Sequence, residues 1–198
     1  MRFVNYKRVN TLLFILILLI NGYIIAAPFA PSVWYWWQTR STTHVQQLAS
    51  KVAAPSKSRS PSTAPNELII PKMLVDTPLV EGPMSDSFDL LNKGAWHLPI
   101  SSSPDKGGNM VIAGHRFSYT GPRGIFYYLN KLEPGDDIGI RWNGIMYHYI
   151  VESTRTVPPT EVSVEQPTPD TRLTLYTCTP LWNPVDRLVV VAKPKEKA

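Results

Sequence analysis

An apolar stretch runs from Thr11 to Ala30, interrupted by Asn21-Gly22 and preceded by Arg2, Lys7 and Arg8. Roughly twenty helical residues cross a hydrocarbon core of about 30 Å, so the pattern predicts a transmembrane helix. The stretch leads into Val33-Trp34-Tyr35-Trp36-Trp37, a cluster of amphipathic rings of the kind that settles at the membrane-water boundary. Pro28 and Pro31 should end or kink the helix there. Basic residues ahead of the span predict a cytoplasmic N-terminus over residues 1–10, a single-pass signal anchor over 11–37, and an extracellular remainder. A cleaved signal peptide would have a shorter apolar core and an Ala-x-Ala-like site, which Ala26-Ala27-Pro28-Phe29-Ala30-Pro31 fits poorly.

From Gln38 to about Pro65 the pattern turns to Ser, Thr, Ala, Pro, Lys and Arg, with almost nothing large and apolar after Leu48. Such a segment cannot bury enough surface to offset its ordering entropy. A stalk is expected over 38–65, flexible from about residue 50, with a short helix over 43–52. Residues 66–194 then form one domain's worth of chain, followed by a polar tail at 195–198.

Within that domain the periodicity is that of short strands. Leu68-Ile69-Ile70 begins one, Met110-Val111-Ile112-Ala113 is apolar throughout, and residues 137–142 alternate. Asn143-Gly144 is a strong hairpin signal, because both residues tolerate positive φ in a type I′ turn. Its partner strand over 145–157 is rich in Tyr, Ile, Val and Thr, and further strands are expected over 172–177 and 187–192. Ile125, Phe126, Leu129 and Leu132 suggest a helix over 123–132. Pro158, Pro159, Pro167 and Pro169 mark a long irregular connection. The fold class is all-β, a barrel or sandwich with one or two short helices.

The whole chain carries a net charge of +5, but residues 1–65 hold seven Lys and Arg and no acid. Residues 66–198 therefore hold 20 − 7 = 13 basic and 15 acidic residues, a net of −2. The basicity belongs to the anchor and stalk, where it suits an anionic membrane surface, and no nucleic-acid partner is expected.

Cys178 is the one cysteine. On the outside of a membrane it has no internal disulfide partner, so it is either a buried filler or a reactive thiol. An ordinary thiol titrates near 8.5 and needs a neighbouring cation or imidazole to act as a nucleophile. Cys178 lies at a strand end, His115 follows Gly114 at the end of the 110–113 strand, and Arg187 opens the strand that returns from the cysteine loop. Each has a plain explanation alone: a single Cys is among the most buried residue types, and Arg187 could be a surface residue paired with an acid. His97, in a loop, is the serious rival to His115; His148 lies mid-strand and His44 near the membrane.

Thr174-Leu175-Tyr176-Thr177-Cys178 followed by Arg187-Leu188-Val189-Val190-Val191 resembles the TLxTC…R signature of sortases, membrane-anchored cysteine transpeptidases. Gly108 to Arg116 is similar to the family's histidine segment, and 68–72, 126–132 and 132–136 match in order. The resemblance implies a closed eight-stranded sortase-type barrel with the site on one rim. It further implies Cys178 as nucleophile, His115 as general acid and base, and Arg187 as the group that holds substrate backbone and oxyanion. Thr177, Tyr176 and Trp182 are candidate substrate-binding residues. The implied reaction cleaves an LPxTG-like sorting motif of a secreted protein between Thr and Gly through a thioacyl enzyme. A peptidoglycan-precursor amine or another envelope amine then accepts the protein. No metal or organic cofactor is implied, calcium activation being known in some members. Asp76-Thr77-Pro78 and Asp86-Ser87-Phe88 do not reproduce the lid motif of pilus-building members, and the tail is polar, so a class D or E style is expected. A hydrolase releasing to water and a non-catalytic surface-binding barrel remain open.

Overall fold

Alternating and doubly apolar strands close on themselves in the computed structural model, which describes residues 6–27, 29–40, 42–53, 65–117, 124–181 and 183–195. The chain divides into two units, Met1–His44 and Val45–Ala198. In the first, α1 (Tyr6–Ala26) is long and apolar enough to cross a membrane. α1 ends at Ala26 and α2 (Ala30–Arg40), which includes Pro31, carries exposed Trp34, Trp36 and Trp37; Pro28, the other proline expected to end the helix, lies outside the described residues.

The second unit is the barrel. Its strands are β1 (Glu67–Ile70), β2 (Val75–Val80), β3 (Ala95–His97), β4 (Asn109–Ala113), β5 (Asp137–Trp142), β6 (Ile145–Val157), β7 (Arg172–Thr179) and β8 (Asp186–Pro194). They close in the order β1-β2-β3-β4-β7-β8-β6-β5, with β1 pairing back to β5. Leu68, Ile70, Met110, Ile112, Ile138, Ile140, Leu173, Leu175 and Val190 are fully or almost fully buried and fill the interior. The expected hairpin is present, with φ of 49° at Asn143 and 79° at Gly144.

Residues 110–113 are apolar throughout because β4 is covered on both faces. Met110 and Ile112 face the barrel core, while Val111 and Ala113 pack with Trp96, Leu98 and Leu90 of α4 (Ser87–Lys93). The helix expected over 123–132 is a run of tight turns ending in a 3-10 turn, Leu129–Lys131, as far as the described residues show from Gly124 onward. Its bonds run three residues back, Tyr127 to Gly124, Leu129 to Phe126 and Leu132 to Leu129. Phe126, Leu129 and Leu132 are all buried, and their spacing of three is the period of a 3-10 turn, not of an α-helix.

The short helix expected over 43–52 is present, and its end packs where a flexible stalk was expected from about residue 50. Residues 42–53 form α3 (Thr42–Ala53), and its last turn belongs to the barrel unit: Val52 is 3% exposed and Lys51 pairs with Asp76 and Glu67 at 2.8 and 3.3 Å. Residues 54–64, the rest of the expected stalk, lie outside the described residues, as do 1–5 and the tail from 196.

Candidate active site

Two parallel strands bring the chemistry together. β4 and β7 pair in parallel up to Ala113 against Tyr176. Beyond that pair the Gly114 N–H donates to the Tyr176 carbonyl at 3.2 Å, and the Thr177 hydroxyl donates to the Gly114 carbonyl at 2.7 Å. The register thus carries His115 alongside Cys178. One step further, Arg116 Nη1 donates to Thr179 Oγ1 at 2.6 Å. Antiparallel pairing of β7 with β8 sets Cys178 directly opposite Arg187, and Arg187 Nη1 lies 3.4 Å from Cys178 Sγ. Cys178, His115 and Arg187 line one cleft of about 290 Å³.

The cleft sits at the end of these strands but on their outward face. Leu173 and Leu175 point into the barrel core, whereas Tyr176 packs with the clusters outside it; side chains alternate along a strand, so Cys178 shares the face of Tyr176. One wall comes from β3 and the segment before it, with Trp96 and with Met84 and Leu91. The other is the 3-10 turn Val162–Glu165 of the proline-rich connection, with Val162, Val164 and Glu165. That connection is therefore less irregular than its four prolines suggest.

His115 is half-buried, and burial holds its imidazole below the usual histidine range. Its carbonyl accepts from the Phe126 N–H at 3.0 Å. Gly114 is required for this approach, since a Cβ there would meet Ile125 and Phe126 side chains at 2.6 and 2.7 Å. Burial also lowers the Arg116 guanidinium from its ordinary value, and its buried Nε has no hydrogen-bond partner. Burial, then the charge and hydrogen bond of Glu165, push the Tyr176 phenol well up, so it stays a neutral donor.

Of the candidate binding residues, Tyr176 and Thr177 both line the cleft. Thr177 is 2% exposed, and its hydroxyl holds the histidine segment to the cysteine strand. Trp182 lies outside the described residues. His97 is in β3 rather than a loop; its Nε2 meets the Ser102 carbonyl at 2.9 Å, and its ring packs against Trp142. His148 lines a separate groove of about 570 Å³ at the far end of β6 that holds no thiol. Sequence reasoning missed Asn109, whose side chain ties the Val162–Glu165 turn to the barrel; no pattern around it marked the role. Arg116 could have been found from its place beside His115. Among the described residues there is no group of three His, Cys, Asp or Glu that could hold a metal ion.

The family model for the sortase domain matches residues 68–195. The chain is 32% identical over 185 residues to Sortase SrtE1 of Streptomyces coelicolor, covering 82% of this chain and 51% of that protein. It is 31% identical over 97 residues to Sortase D of Bacillus subtilis, covering 49% and 44%. The matched region thus spans about half the length of either relative. Among solved structures, sortase A of Listeria monocytogenes superposes with a TM-score of 0.57 at 26% identity, over 68% of this chain and 89% of that one. Sortase C1 of Streptococcus agalactiae gives 0.59 at 27% identity, over 72% and 74%.

Proposed function

Because this chain belongs to the sortase family, we propose that it is a cysteine transpeptidase that joins secreted proteins to an amine of the cell envelope. The observation that carries this reading is the guanidinium of Arg187 at 3.4 Å from the Cys178 sulfur, in a cleft that His115 also lines. The thiolate of Cys178 attacks the carbonyl carbon of Thr in an LPxTG-like motif, forming a C–S bond. The resulting oxyanion faces Arg187, a fork of permanently charged donors. The Thr–Gly bond breaks as His115 gives its proton to the departing Gly amine. In the second half an amine attacks the thioester and its proton passes to His115. The C–S bond breaks, leaving a new amide and the free thiolate.

Tyr176, with Trp182, is proposed to meet the sorting peptide, and Thr177, whose buried hydroxyl is held by the Gly114 carbonyl, is proposed to meet it through its backbone alone. SrtE1 and Sortase D among the relatives support a class D or E style of anchoring. The apolar α1 supports a single-pass anchor with a cytoplasmic N-terminus and an extracellular barrel. The test is intact-mass measurement on the protein after incubation with a panel of sorting peptides. A thioacyl adduct is expected that disappears in Cys178→Ala and converts to an amide when an amine is added. Release at a rate indifferent to the amine would make it a hydrolase. No adduct with any peptide would leave only a binding barrel.

A further inference from the structure

The turn Val162–Glu165 is one wall of the cleft, yet it lies in a connection that contains Pro158, Pro159, Pro167 and Pro169 and has no strand partner. Prolines lack the N–H groups that would otherwise link such a segment to its neighbours. One buried side chain supplies the missing donors. Asn109, the first residue of β4, is 2% exposed. Its Nδ2 donates to the carbonyls of Val164 and Gln166, both at 3.0 Å. Its Oδ1 accepts from the Thr174 hydroxyl on β7 at 2.7 Å. The hydroxyl thereby orients the amide: with Oδ1 turned to Thr174, both amide hydrogens point to the turn. Both donors are in use, and the oxygen has a partner.

We propose that Asn109, oriented by Thr174, is a positioning residue that holds the Val162–Glu165 turn as a preformed wall and so sets affinity for the sorting peptide without taking part in the chemistry. This rests on the transpeptidase reading above. Asn109 does not line the cleft; it acts through Val162, Val164 and Glu165, which do. A preformed wall saves the peptide the cost of ordering it, so loosening the pin should appear in binding, not in bond breaking. Losing one buried hydrogen bond corresponds to roughly tenfold in affinity.

The test compares Asn109→Asp, Thr174→Val and Thr174→Ser on the full chain. Asn109→Asp sets a carboxylate against two carbonyls; Thr174→Val removes the orienting hydroxyl at constant shape, and Thr174→Ser keeps it. Expected are a KM for a sorting peptide raised about tenfold in the first two with kcat within about twofold, and recovery of KM in Thr174→Ser. Amide exchange across 162–166 should quicken in the same two variants. The ratio of Cys178 alkylation rates by a bulky and a small reagent should also change in both. The last two readouts need no peptide, so they stand if the wild-type protein turns over none. If Asn109→Asp fails to fold, Thr174→Val carries the comparison. Unchanged exchange over 162–166, or a fall in kcat at constant KM, overturns the proposal.

Discussion

In the proposed reaction the Arg187 guanidinium, 3.4 Å from the Cys178 sulfur, meets the oxygen that gains charge as the sulfur attacks a carbonyl. Arg187→Lys keeps the charge and loses the planar fork, so kcat/KM should fall by roughly 10²–10³, the usual cost of one such donor. Alkylation of Cys178 by a small reagent should persist, and loss of both together would mean that the strand pair had unfolded. His115 makes a separate prediction. Burial weakens its hold on a proton in the folded state, so below about pH 6.5 the unfolded chain takes up that proton first. The stability contributed by the neutral ring is complete above that pH and declines as pH falls toward the depressed folded value. Denaturant unfolding between pH 7 and 5 should show this slope, and His115→Asn should flatten it. In kinetics, the limb of the rate profile that belongs to His115 should lie on the acid side of an ordinary imidazole.

At the scale of elements, the site depends on how closely the 124–132 turns press on the end of β4. Gly114→Ala puts a methyl against Ile125 and Phe126 at under 3 Å, an overpacking that costs about 1–3 kcal/mol. Thermal unfolding should drop by several degrees, and turnover should fall as His115 shifts with its strand. The same element shows what the sequence could and could not tell. Phe126, Leu129 and Leu132 were recognisable as buried, but three positions at spacing three fit a 3-10 turn as well as a helix face. Six strands and the Asn143-Gly144 turn followed from periodicity and turn chemistry. β2 did not, because Asp76, Thr77 and Pro78 break the alternation that marks a strand, and β3 has only three residues. The Cys178, His115 and Arg187 trio was legible because a lone thiol, an imidazole and a guanidinium stand at strand ends inside segments that resemble a known signature. Asn109 was not, since an amide at the start of an apolar strand carries no such mark and its partners lie 55, 57 and 65 positions away.

For the whole molecule, the boundary of the barrel unit falls at Val45, well before the first strand. The reason is the last turn of α3. Val52 packs onto Gly139 of β5, where even a methyl group would come within 2.9 Å of the valine, and Met146 of β6 lies close by. Lys51 meets Asp76 and Glu67. The two contributions differ in size. Ion pairs of a lysine that remains a third exposed contribute at most about 1 kcal/mol, whereas full burial of a valine side chain contributes about 1.5–3 kcal/mol. A chain that starts at residue 66 should therefore unfold several degrees below one that starts at residue 42. Val52→Ala in the longer chain should reproduce part of that loss, and Lys51→Ala little of it, with the Lys51 effect shrinking further in high salt. None of the three changes reaches the cleft, so KM for a sorting peptide below the unfolding range should match the parent. Equal midpoints for the two chain lengths would return α3 to the stalk and leave the barrel to begin at its first strand.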